Sequence, residues 1–170
     1  MCPAGQARTE GTFINLEFDT GTTGGASLGD IATSLVSVDE LLRDLASIAA
    51  YPSSAEFREI QIVAIEMRSP LTIKLSLLAI SPNAVKAFQE ICRDIIVFRE
   101  RRSRQAALTA SEREDLSDKR RANIETALEL CTPEGVQACI TEQEAQRIYG
   151  HIVTLQNAEI PLKRVEVKEE

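Results

Sequence analysis

Two stretches of this chain hold residue types that can do chemistry. Asp19-Thr20-Gly21-Thr22-Thr23-Gly24-Gly25 sets a carboxylate, hydroxyls and glycines between an alternating segment and a long amphipathic one. In a strand-to-helix loop of this kind, backbone amides can cradle a phosphate, because the first helical turn leaves its N–H groups unpaired. The same residues also read as a plain connection whose glycines permit positive φ. The second stretch is Arg99-Glu100-Arg101-Arg102-Ser103-Arg104, a basic run at the end of a helical stripe. It suits the negative end of its own helix, an acidic protein partner, the acidic tail of another copy, or nucleic-acid phosphate. His151 is the single histidine, with no matched cysteine or aspartate in sequence view, and it reads as an ordinary helical residue. Cys2, Cys92, Cys131 and Cys139 form no CxxC pair, and Cys92 falls in an apolar stripe as a buried thiol would. No catalytic residue, metal site or cofactor is expected from these positions.

The Asp-x-Gly-Thr-Thr portion of the loop, Asp19 to Thr23, resembles the first phosphate loop of the actin-like and sugar-kinase superfamily. That resemblance implies a carboxylate organising a metal and amides holding phosphate. It spans about seven residues, and the superfamily continues into a second hairpin strand where this chain turns helical. Asp19-Thr20-Gly21 after Leu16-Glu17-Phe18 also resembles the active-site turn of retroviral-type aspartic proteases. Those folds are almost wholly β, and Glu17 interrupts the apolar strand that precedes their motif.

The elements that position these residues follow from periodicity. Thr12–Asp19 alternates, with Ile14, Leu16 and Phe18 on one face, as a half-buried strand does. After Ser27, apolar residues at 28, 31, 35, 38, 42, 45 and 49 predict a long helix that stops before Pro52. Glu59–Met67 and Leu71–Ala79 predict a hairpin, and the first strand is apolar on both faces, which places it centrally. Ser81-Pro82 opens a second helix, in which Val85, Phe88, Ile91, Cys92, Ile95, Ile96 and Phe98 nearly encircle the axis. A helix apolar on more than one side needs two neighbours, here the sheet and either a C-terminal helix or another subunit. Thr109 with Glu112 and Thr141 with Glu144 form two capping boxes, each followed by a thinner stripe. The order strand, Gly-rich loop, long helix, hairpin, long helix is similar to uncharacterised bacterial domains found beside membrane segments or defence-type genes. Arg121–Ile140 fits the same picture. That likeness implies a component of a bacterial multi-component system.

Composition bounds the function. The chain has 170 residues, 44% hydrophobic and 26% charged, enough for one domain with a core. A net charge of −7 and 4% aromatics argue against a general nucleic-acid binder or a base-stacking platform. The N-terminal residues show no basic region followed by an apolar one, no apolar span reaches membrane length, and a reduced cytoplasmic setting is expected. The expected architecture is α+β, with a three-stranded, mainly antiparallel sheet and a helical C-terminal part. Residues 1–11 form a disordered tail, 12–104 the α+β core, 105–160 a helical extension on that core or on another subunit, and 161–170 a tail or edge strand. The expected function is a non-enzymatic interaction or assembly module that binds a protein partner or itself. Its contacts are expected at Ile91, Ile95, Ile96, Phe98, Arg99, Arg101, Arg102 and Arg104. The alternative is a small enzyme or sensor that binds a phosphorylated ligand at Asp19–Gly25.

Overall fold

The computed structural model describes residues 11–21, 27–50, 59–68, 70–78, 80–131 and 140–169. Four strands and five helices follow one another: β1 (Thr12–Phe18), α1 (Leu28–Ala50), β2 (Glu59–Glu66), β3 (Leu71–Leu78), α2 (Pro82–Glu100), the one-turn α3 (Arg102–Gln105), α4 (Ala110–Cys131), α5 (Glu142–Gln156) and β4 (Leu162–Glu169). The strands pair antiparallel in the order β2-β3-β1-β4.

The sheet therefore has four strands, where sequence periodicity predicts three. The fourth strand is Leu162–Glu169, which the sequence leaves open between a tail and an edge strand because charged residues obscure its alternation. Val165 and Val167 stand opposite Leu16 and Ile14 of β1, on the side where β1 is buried. The predicted central position of Glu59–Met67 is also corrected. β2 is an edge strand, and β1, which alternates cleanly, is central. Apolar residues on both faces signal burial on both sides only when a second layer exists, and the described helices cover one side of this sheet.

That covered side carries the core. Ile14, Leu16 and Phe18 of β1 meet Leu75, Ile73 and Leu71 of β3 in register, and all six are buried. α1 begins at a reciprocal cap, with the Asp30 amide donating to Ser27 Oγ (3.1 Å) and that hydroxyl donating to the Asp30 carboxylate (2.7 Å). Its buried stripe starts at Ile31 and runs through Val38, Leu41, Leu42, Leu45 and Ile48, while Leu28 faces solvent. α2 starts at Ser81, whose Oγ accepts from the Asn83 amide, with Pro82 at the first helical position. Its wide apolar surface finds its neighbours within the chain: α1, α4, α5 and β4 all pack on it. The thin stripe of α4 (Ile124, Ala127, Leu128, Cys131) is thus part of the same core as the sheet. α5 carries the capping box of Thr141 and Glu144 in full.

Candidate functional site

The C-terminal end of α2 and the faces of α4 and α5 enclose an open cleft of about 620 Å³. Each wall is set by a different piece of local chemistry. α2 stops at Glu100, and the Arg101 amide closes its last turn by donating to Val97 and Arg99 carbonyls. The chain then makes one tight turn, α3, which delivers Arg102 to the rim. The Thr109–Glu112 box starts α4, with the Thr109 amide donating to the Glu112 carboxylate at 2.8 Å and holding its pKa below the usual range. From there Arg113, Arg120 and Arg121 enter the same space.

The floor is apolar, made by Phe98, Leu116, Ile124 and Ile152. Among the described residues, four arginines line the cleft (Arg102, Arg113, Arg120, Arg121) and no carboxylate does, in a chain of net charge −7. Arg120 is held in place. Its Nη2 donates to Asp94 Oδ2 at 2.7 Å, its Nε to the same oxygen at 3.1 Å, and its guanidinium lies 3.9 Å from the Phe98 ring centre. Both members of this ion pair are mostly shielded, at 18% and 13% exposure. Arg113 donates to the Ala106 carbonyl. Arg102 and Arg121 are exposed and show no ion pair with any described residue. Tyr149 stands at the edge of the floor. Partial burial, with a smaller push from Glu125, raises its pKa against the pull of Arg121, so the hydroxyl stays protonated and can donate.

The positions expected from sequence fall into separate places. Ile91 and Ile95 lie in the chain's own core, and Ile96 is half-buried against it. Phe98 and Arg102 line the cleft. Arg99 turns away from it and donates to the Gln156 and Ala158 carbonyls at 2.7 and 2.8 Å. It therefore caps the C-terminus of α5, not of its own helix. Burial and the nearby Arg102 pull its pKa down, with Glu159 opposing. Arg101 and Arg104 are exposed on the surface. In the glycine-rich loop, Asp19 Oδ1 accepts from the Gly21 amide at 2.9 Å, and Gly21 takes φ +73°, a turn closed on itself. The Asp19 amide donates to the Pro161 carbonyl. Thr20 is half-buried, and Thr22, Thr23, Gly24 and Gly25 lie outside the described residues.

Arg113, Arg120 and Arg121 escape a sequence reading that follows local runs. They come from a helix whose polar surface looks uniformly solvated, and Asp94 is 26 residues from its partner Arg120. His151 gains neighbours that the sequence does not announce. Its Nδ1 is 3.4 Å from Glu40 and its Nε2 3.5 Å from Asp44, both on α1. Asp44 also accepts from Arg147. Burial pushes the Cys92 thiol far up and the Cys131 thiol up to about 12, so neither is a ready nucleophile. Cys131 Sγ donates to the Leu45 carbonyl instead. Among the described residues, no group of histidine, cysteine and carboxylate side chains is placed to hold a metal ion, and no helix is long and apolar enough to cross a membrane. Comparison with family models, with curated proteins and with solved structures finds no match to this chain.

Proposed function

We propose that this protein is a non-enzymatic interaction module that captures an acidic, partly apolar segment of a protein partner in the arginine cleft. The observation that carries the reading is the composition of the walls: four guanidinium groups above a floor of Phe98, Leu116, Ile124 and Ile152, with no carboxylate among the described lining residues. Guanidinium pairs carboxylate in a planar fork, and an apolar floor rewards a ligand that also brings aliphatic side chains. A volume near 620 Å³ exceeds what a phosphate ion fills and suits several side chains of one segment.

The test is calorimetric titration with a synthetic amphipathic peptide bearing glutamate on one face and leucine on the other, beside a scrambled lysine control. Binding of the acidic peptide alone is expected, and it should weaken steeply with salt. Arg102→Glu with Arg121→Glu should reduce affinity at least about tenfold, the scale of losing one charge-assisted pair. Equal binding of both peptides, or no loss in the double variant, would refute the reading. Stabilisation by inorganic phosphate that vanishes in Asp19→Ala would favour the phosphate-ligand alternative at Asp19–Gly25.

A further inference from the structure

We infer that β2 is the contact through which two copies of this chain join, edge to edge, into one continuous antiparallel sheet. Among the described residues, β3 is the one strand hydrogen-bonded to β2. An edge strand offers a row of backbone donors and acceptors that another strand can take up. The side chains along this edge are apolar. Ile62 is 52% exposed, Val63 52%, Ile65 48% and Met67 69%. Ile60, Ile62 and Ile65 point to the helix side of the sheet, because they stand opposite Leu77, Leu75 and Ile73 of β3. The described helices leave Ile62 and Ile65 half open on that side.

The strand is complementary to itself, which identifies the occupant. Val63 is an extra residue: the register steps from Ile62 opposite Leu75 to Ala64 opposite Lys74. The helix-side residues are therefore even-numbered before the bulge and odd-numbered after it. Directly opposed residues of an antiparallel pair share a face. With a two-fold axis between Val63 and Ala64, Ile62 of one copy faces Ile65 of the other, Ile60 faces Met67, and Gln61 faces Glu66 on the open side. Every pair then keeps its face. The bulge of each copy falls on the axis, so regular pairing resumes on either side of it. A register two residues shorter drops Met67 and sets Ile62 against the bulged Val63. The two-fold also ends the assembly at two copies, because it takes β2 out of solvent in both.

This inference stands apart from the arginine cleft, whose residues lie on α2 to α5. Native mass spectrometry of the full chain over a dilution series tests it. The expected result is a dimer for the wild type and monomers for Ile62→Lys and Ile65→Lys, each with unchanged circular dichroism. Both side chains are half exposed, so the substitutions leave the fold intact; should one variant fail to fold, the other decides. The Arg102→Glu, Arg121→Glu variant should remain dimeric, which separates this result from the cleft reading. Amide exchange should show β2 protected at high concentration and unprotected after dilution. A monomeric wild type, a dimer that survives the lysine variants, or β2 exchange that ignores concentration would overturn the inference.

Discussion

The two edges of the sheet share a backbone plan and differ in the side chains placed on it. Each edge strand carries one bulged residue. In β4 it is Lys163, between Leu162 opposite Phe18 and Arg164 opposite Glu17; in β2 it is Val63. Bulges and charges are the common devices that keep an edge from pairing with strangers. β4 has both, since Lys163, Arg164, Lys168 and Glu169 are exposed along it. β2 has the bulge but shows Ile62, Val63 and Ile65 to solvent. The strands also differ in how firmly they are anchored. Leu162 is buried and α2 packs on β4, whereas Ile62 and Ile65 stay half open. Among the described residues both edges are paired on their inner side alone, but only β4 is also guarded by exposed charges and by a helix packed on it.

The largest effect expected from this contrast concerns stability. Leu162→Ala should cost about 3 kcal/mol, in the range for emptying a buried leucine site. Ile62→Ala should cost under about 1 kcal/mol, because half the side chain already meets water. Urea melts at a concentration where both variants are monomeric measure the difference. Equal losses would mean that β2 is anchored as firmly as β4.

Exchanging the bulged residues sharpens the comparison further. Val63→Lys should abolish association and change monomer stability by less than about 0.5 kcal/mol, as a surface substitution does. Lys163→Val should give β4 an apolar edge and yield species larger than a dimer by light scattering, because both ends of the sheet could then extend. A dimer that persists in the first variant would transfer the contact away from β2. The smallest effect is expected at Arg164, which stands across from Glu17. Arg164→Glu sets two carboxylates opposite each other and should lower stability by about 0.5 kcal/mol at low salt, with the loss fading as salt rises.

Particular residues show what a sequence reading reaches here. Ile14, Leu16 and Phe18 alternate without interruption, and the structure buries all three. The near-encircling apolar set of α2 announces two neighbours, and α1, α4, α5 and β4 supply them. β2 shows the limit. Glu-Ile-Gln-Ile-Val-Ala-Ile-Glu has the same composition whether a strand sits between two others or at an adhesive edge. Only the number of strands and layers decides, and that is a property of the whole chain. β4 stays open between a tail and an edge strand in the sequence for the opposite reason, since lysine, arginine and glutamate on its edge and open face mask the alternation of Val165 and Val167. Of the residues that line the cleft, the sequence singles out Phe98 through the apolar stripe of α2 and Arg102 through the basic run. Arg113, Arg120 and Arg121 are not singled out, because a guanidinium's neighbours across helices leave no trace in spacing along one of them.

The pairing of β1 with β4 has a consequence for how the chain is made. β1 needs β4 along one side, yet residues 19–161 lie between the two strands. At ribosomal speeds of about 5–20 residues per second, β1 waits roughly 7–30 s for that partner. During this interval Ile14, Leu16 and Phe18 belong to a strand that lacks one of its two neighbours. Such distant contacts also slow refolding, because loop closure must precede the reward of pairing. The edge of β1 that pairs with β4 therefore stays open until β4 has been synthesised.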